Sequence, residues 1–483
     1  MSKTIRPVNI SRSPRRQKNL SAAVSKYFLH PVSDLLDCSE KLQEWVRLER
    51  NQWEPIEQKR KRQWEQLQAA LRYARENCEF YRNRIPTAPP DEVEFRRLPL
   101  LQKDDVRRFP ERLISRAFSR SVLREATTGG STSMSLKVFF NKRCQERRNA
   151  VAMRCDRWAG WDLGHGRGAL WGNPPPIVTP KQRLRNALLD RITYLDTLRL
   201  TDKAMMEFIR RLRDKGIHFL FGHAHSLFVF ANFVRSREIR DLDIRGIVAT
   251  SMVLLERERY VIESVFGCPV TNRYGCEEVG LIACECEMHD GLHVNVDHLY
   301  VEVLREDGSP AAPGEDGRIV VTDLINRGMP FIRYEVGDMG KTSNRACSCG
   351  RGLPLLEKIN GRMADFFVRL DGSLVAGVSL VERTLTAFPG ISQLQIVQER
   401  LGEVTLNVVP DHEYGLATEE SLIREIRSVF EPETTVIVAM LTAIPQERNG
   451  KYRFAICRVP HLGHPSPSFP TTATESNHEV TKR

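Results

Sequence analysis

The chain has 483 residues, 41% hydrophobic and 28% charged, with a net charge of +11. That composition is ordinary for a globular protein, and the length allows roughly two to four domains. It excludes a transmembrane bundle, because the most apolar stretch, residues 219 to 234, is broken by His223, His225 and Asn232 and falls short of the roughly 20 apolar residues of a span.

No apolar segment of a signal peptide follows the basic N-terminus, which predicts a cytoplasmic protein. The eleven cysteines then do not read as a disulfide framework. Much of the positive excess lies in the first twenty residues and around Lys59-Arg60-Lys61-Arg62. No nucleic-acid motif accompanies it, so no nucleic-acid partner is expected. A basic tail and a solvated helix face account for the charge.

Residues 1 to about 30 are expected to be disordered. Residues 39 to 85 carry a helical pattern in Leu42, Trp45, Val46, Trp53, Trp64, Leu67, Leu71 and Ala74. Beyond residue 120, strand-like runs at 168–171, 218–221 and 246–250 alternate with helical runs at 202–215, 226–235 and 256–266. This predicts an α/β fold with substantial parallel sheet. Residues 299–304 and 318–323 read as a β region. A boundary is expected near 361–365, so the large domain runs over 31–364. A smaller α+β unit follows over 365–459: a strand at 366–370, a helix from Ser379, strands at 394–398 and 403–409, a helix at 419–430 and a strand at 435–440. The tail from 460, rich in Pro, Ser, Thr and His, is expected to be disordered.

One loop stands out, Thr127-Thr128-Gly129-Gly130-Ser131-Thr132-Ser133. Paired glycines let backbone N–H groups approach an anion, and the hydroxyls add donors, so the loop fits phosphate. A polar surface turn has much the same composition. No Gly-Lys-Ser/Thr leads from it into a helix, so it is not a P-loop.

Four segments follow in order: Asn272-Arg273-Tyr274-Gly275-Cys276-Glu277-Glu278-Val279-Gly280, Pro330-Phe331-Ile332-Arg333-Tyr334-Glu335-Val336-Gly337-Asp338, Ile359-Asn360-Gly361-Arg362-Met363-Ala364-Asp365, and Arg448-Asn449-Gly450-Lys451-Tyr452-Arg453. With the loop and with Leu98-Pro99-Leu100-Leu101-Gln102-Lys103 before it, they make the chain resemble the adenylate-forming superfamily. Within it the likeness is to the phenylacetate–CoA ligase-like branch, which includes relatives from capsular polysaccharide biosynthesis. The resemblance spans residues 60 to 459.

It implies a large adenylation domain with a small mobile C-terminal lid, and activation of a carboxylate by ATP and Mg²⁺ as an acyl-adenylate. CoA is the expected acceptor. An amine, a hydroxyl or a carrier protein is the alternative, and a non-catalytic binding protein is the reading from another class. Thr128, Gly129, Gly130, Ser131 and Thr132 inherit the triphosphate. Tyr274 would stack on adenine and Asn272 would bond its amine edge. Glu278 would hold Mg²⁺, Asp338 the ribose hydroxyls, and Arg362 ribose or phosphate. Lys451 would reach the carboxylate and α-phosphate. Relatives usually carry Gly at Ser133 and often Glu at Met252. Trp158, Trp161, Trp171 and Gly172-Asn173-Pro174 fall where relatives build the acyl pocket, which implies an apolar or aryl acid; ordinary core tryptophans fit as well. The oligomeric state stays open, a homodimer included.

Cys284, Cys286, His289 and His293 form Cys-x-Cys-x₂-His-x₃-His, and Cys347 and Cys349 follow as Cys-Ser-Cys. Close Cys pairs with nearby His read as a zinc site of four N/S ligands. Cys286, His293, Cys347 and Cys349 are the expected set, with Cys284 and His289 as alternates. The site would be structural and would make 284–349 a zinc-binding insertion.

Overall fold

The computed structural model describes residues 20–85, 87, 89–127, 136–171, 174–175, 177–197, 200–362, 366–372, 374–388, 390–445 and 452–459. They fall into two compact units. The larger comprises residues 1–363 with 445–453, and the smaller 364–444 with 454–483.

In the larger unit β1 (Arg124–Thr127) and β2 (Lys137–Phe140) form an antiparallel hairpin. The next strands are β3 (Arg167–Trp171), β4 (Ile192–Asp196), β5 (Phe219–His223), β6 (Gly246–Thr250), β7 (Val270–Cys276), β8 (Gly280–Glu285), β9 (Leu292–Val294), β10 (Leu299–Leu304), β11 (Asp316–Asp323), β12 (Tyr334–Ser343) and β13 (Leu355–Arg362). They make one sheet in the order β10-β11-β12-β13-β9-β8-β7-β6-β5-β3-β4. Strands β3 to β7 pair in parallel and the remainder antiparallel.

The parallel half carries apolar runs because both faces are covered. Along β6, Val248 joins one core cluster while Ile247 and Ala249 join the other. Period-two alternation therefore feeds two cores from one strand. The second core is completed by helices Asp202–Asp214, Ala224–Ser236 and Glu256–Phe266. Each Phe or Leu buried there is worth about 1.5–3 kcal/mol.

The helical pattern of residues 39 to 85 is divided between Lys41–Asn51, Ile56–Asn77 and Glu79–Arg82. Pro55 caps the second of these. A proline at that position has no N–H to continue the first helix, so the chain turns there.

Residues 1–19 of the segment expected to be disordered lie outside the described residues, and residues 20–30 are helical instead. Residues 20–36 form a helical run of Leu20–Val24, the π-helical Ser25–Leu29 and His30–Leu36. Burial, helped by the nearby Lys41 charge, lowers the His30 pKa to about 4. The unfolded chain takes up that proton near pH 6.5. The resulting stability is complete above pH 6.5 and is lost as pH falls from there through 4. In a pH series of thermal melts, His30→Gln should show a shallower decline than wild type across that window.

The smaller unit carries a hairpin of β14 (Phe366–Val368) and β15 (Leu374–Ala376). Strands β16 (Ile391–Arg400), β17 (Glu403–Pro410), β18 (Thr435–Met440) and β19 (Ala455–Cys457) make a sheet in the order β18-β17-β16-β19. Helices Gly377–Ala387 and Leu416–Val429 accompany it. The whole is a mixed α/β protein with a large sheet and a smaller α+β unit. Residues 460–483 lie outside the described residues.

Candidate active site and metal centre

The parallel strands order as β7-β6-β5-β3-β4, so the chain reverses its direction of growth beside β3 and β5. Ligands of open α/β sheets bind beyond the carboxyl ends of strands at such a reversal. The residues standing there are Trp171 at the end of β3, His223 at the end of β5, Thr250 at the end of β6 and Arg273 in β7. Register sets His223 opposite Thr250 and Thr250 opposite Arg273. The Trp171 ring stacks on Phe221, with centroids 5.4 Å apart, and lies 4.5 Å from the His223 ring.

The other tryptophans are placed differently. Trp158 is buried, donates to Gln52 Oε1 at 2.9 Å and meets the His293 ring edge-on at 5.6 Å. Trp161 is buried and donates to the His165 carbonyl. Of the three, Trp171 alone stands at the strand ends that face the reversal. Gly172 and Asn173 lie outside the described residues.

Strand β7 carries Asn272 and Tyr274, and the turn into β8 carries Glu278. Gly275 permits the tight β7–β8 approach, since a Cβ there would stand 2.5 Å from the Gly280 carbonyl oxygen. The Tyr274 hydroxyl donates to Asp338 Oδ2 of β12 at 2.8 Å, and the Tyr334 hydroxyl donates to Glu278 Oε1 at 2.8 Å. Burial, reinforced by the adjoining carboxylates, raises both phenol pKa values well above the ordinary range. Both hydroxyls therefore stay protonated as donors.

Two residues with no role assigned from sequence hold this arrangement. Tyr334 lies within the segment Pro330–Asp338. Arg148, on helix Lys142–Trp158, donates to the Glu278 carbonyl at 2.7 Å and to Asp323 Oδ2 at 2.9 Å, pinning the turn. Arg148 is one arginine among many, and its target is a backbone carbonyl 130 positions away, so sequence offers no signal for it.

The Asn272 backbone N–H donates to Glu285 Oε2 at 2.7 Å. Arg362 pairs with Asp338 in the β12–β13 register, and its side chain lies outside the described residues. So do Thr128, Gly129, Gly130, Ser131 and Thr132, within the connection from β1 to β2, and Lys451. The neighbouring Tyr452 is described. Tyr452 groups with the larger unit, and its ring lies 4.3 Å from that of His225. His225 Nδ1 is 2.5 Å from Glu258 Oε1.

Cys286 follows β8, His293 lies in β9, and Cys347 and Cys349 lie between β12 and β13. Their four ligand atoms all fall within 4.8 Å of one another. Cys286 Sγ is 3.7 Å from Cys347 Sγ, and Cys349 Sγ is 3.3 Å from His293 Nε2. Two thiolates on tetrahedral zinc, at about 2.3 Å each, stand about 3.8 Å apart. The donor set and its spacing thus fit zinc. His293 Nδ1–H donates to the Leu353 carbonyl at 3.3 Å, which turns Nε2 toward the sulfurs. Backbone N–H groups of Met288 and Arg351 donate to Cys286 Sγ and Cys349 Sγ, each at 3.4 Å. Such outer contacts orient metal ligands. Cys284 instead packs against Cys155, and His289 Nδ1 is 3.2 Å from Glu285 Oε2.

Comparison with known proteins agrees with this architecture. Residues 367–458 match the CapK C-terminal domain. Phenylacetate-coenzyme A ligase of Thermus thermophilus is 27% identical over 401 residues, covering 77% of this chain and 84% of that protein. Among solved structures, 2-hydroxyisobutyryl-CoA ligase in the postadenylation state with R3-HIB-AMP superposes with a TM-score of 0.70 at 19% identity. That match covers 84% of this chain and 91% of the other. The same ligase in an open conformation with 2-HIB-AMP and CoA gives 0.59 at 19% identity, covering 84% and 93%.

Over most of its length the chain is similar to phenylacetate-coenzyme A ligase and shares its fold with 2-hydroxyisobutyryl-CoA ligase. The smaller unit adds the match to the CapK C-terminal domain.

Proposed function

We propose that the protein activates a carboxylic acid with ATP and passes the acyl group to CoA. The likeness to phenylacetate-coenzyme A ligase over 401 residues carries this reading. The two phenol–carboxylate pairs on β7, β12 and the turn before β8 support it. A carboxylate oxygen of the acid attacks the α-phosphorus of ATP, and pyrophosphate leaves. The CoA thiolate then attacks the acyl carbonyl, and AMP leaves.

Loop residues 128–132 take the triphosphate through backbone N–H groups and hydroxyls. Asp338, its carboxylate oriented by Tyr274, takes the ribose hydroxyls. The Tyr274 ring and Asn272 take adenine, and Arg362 takes ribose or phosphate. Glu278 offers magnesium a hard oxygen ligand. Bound there, the ion offsets negative charge on the phosphates. The Trp171–Phe221 stack receives an aryl or apolar acid. Cys286, His293, Cys347 and Cys349 hold a structural zinc that ties the 284–349 region together. No helix among the described residues is long and apolar enough to cross a membrane, and we assign the protein to the cytoplasm.

A panel of carboxylic acids assayed by ATP–pyrophosphate exchange tests the reading, with aryl acids expected to give the strongest signal. CoA or candidate amines, added in turn, identify the acceptor. If no acid supports exchange and ATP does not bind, the enzyme reading fails and a binding protein on the same fold remains.

A further inference from the structure

The helical run at residues 20–36 is amphipathic with its faces reversed. Its exposed side carries Leu20, Val24, Tyr27, Phe28, Val32, Leu35 and Leu36. Of these, Leu20 and Leu35 are each 78% exposed and Tyr27 is 74% exposed. These positions follow the spacing of one helical stripe.

Apart from the half-buried Leu29, the side turned to the protein is small or polar. Ser25 Oγ donates to the Leu188 carbonyl at 2.8 Å, and Lys26 Nζ meets Asp162 Oδ2 at 2.7 Å. Asp34 accepts from the Leu42 backbone N–H at 3.0 Å and pairs with Lys41 at 3.2 Å. Gly164, at φ +88°, lets the run sit close, since a Cβ there would stand 2.2 Å from the Ala22 carbonyl oxygen. The polar face therefore anchors the run while its large apolar side chains face water. The segment it packs on extends the same character. Leu184 and Leu188 are exposed beside exposed Lys181, Arg183 and Arg185.

Charge decides what covers this face. The 19 residues before Leu20 hold Lys3, Arg6, Arg12, Arg15, Arg16 and Lys18, and no acidic residue. A second copy docked face to face would bring like charge against like. An anionic lipid surface matches both features, since acyl chains receive the apolar stripe and headgroups receive the cations. We propose that residues 20–36 dock the protein on an anionic membrane surface, lying in the interface without spanning it.

The test is flotation of the full-length protein with phosphatidylcholine vesicles, with and without phosphatidylglycerol. Wild type should bind the anionic vesicles at least about tenfold more tightly, and less so in high salt. Tyr27→Ser/Phe28→Ser and, separately, Arg15→Gln/Arg16→Gln should each weaken that binding about tenfold or more. Tyr27 and Phe28 are outside the anchoring contacts above, and an unchanged thermal midpoint in both double variants should confirm the fold. The proposal is overturned if wild type ignores anionic vesicles, or if the aromatic pair can be removed without effect on binding. It is also overturned if wild type is a dimer that the Tyr27→Ser/Phe28→Ser pair splits, which would give the face to a second copy.

Discussion

Cys347→Ser should strip the purified protein of a near-stoichiometric zinc ion and lower the thermal midpoint of the larger unit by roughly 10 °C. Cys286 and Cys347 are 61 positions apart, and His293 and Cys349 are 56 apart. A metal joining them closes long loops that the unfolded chain leaves open. The ligands come from the end of β8, from β9 and from the segment before β13. Register places Leu355 of β13 opposite His293, so loosening the cluster loosens the middle of the sheet.

Two controls separate a metal effect from loss of packing. Cys284→Ser removes a buried thiol of β8 two residues before Cys286, and His289→Ala removes a histidine three residues after it. Both should retain zinc. Elemental analysis of each variant reads the outcome. Wild type prepared with zinc present yet carrying almost none would sink the assignment, as would zinc lost from the Cys284 variant but kept in the Cys347 variant.

Elements with a strong local period are legible in the sequence. The run 246–250 carries Ile247, Val248 and Ala249 in succession because β6 is buried on both faces, and 256–266 repeats at helical spacing because one side meets the second core. Pro55 shows where a pattern misleads: the apolar spacing continues across it, but the backbone cannot. Residues 20–30 mislead in the opposite way. A basic segment before them suggests disorder, and their apolar stripe points outward, so it gives no sign of packing on a core.

The candidate site is legible as residue types but not as partners. Motif matching singles out Tyr274, Asp338 and Glu278. That Tyr274 bonds Asp338 across 64 positions depends on sheet order, which no local pattern encodes. Spacing narrows the zinc ligands to six candidates. Only strand pairing separates Cys286, which turns toward Cys347, from Cys284, which turns toward Cys155.

Lys451→Ala should lower ATP–pyrophosphate exchange by about 10²–10³-fold and leave thioester formation from a supplied acyl-adenylate close to wild type. Two anions meet when a carboxylate attacks ATP, and a cation fixed beside them lowers that barrier. Removing one such preorganised group costs about 2.7–4 kcal/mol. In the second half-reaction a thiolate attacks a carbonyl and AMP departs, so this cation has no carboxylate–phosphate repulsion to offset. A residue on a segment that moves between steps would serve only the first.

The described neighbour of Lys451 in the chain is Tyr452. Tyr452 lies against His225, and helix Ala224–Ser236, which carries His225, starts directly after β5 at the sheet reversal. Glu278→Gln provides the contrast. It keeps an oxygen to accept from Tyr334 but removes the charge offered to magnesium, so exchange should fall while the fold is retained. Exchange and thioester formation assayed separately on both variants decide the matter. Equal losses in both half-reactions for Lys451→Ala would make Lys451 a structural residue, and undiminished exchange would remove it from the reaction.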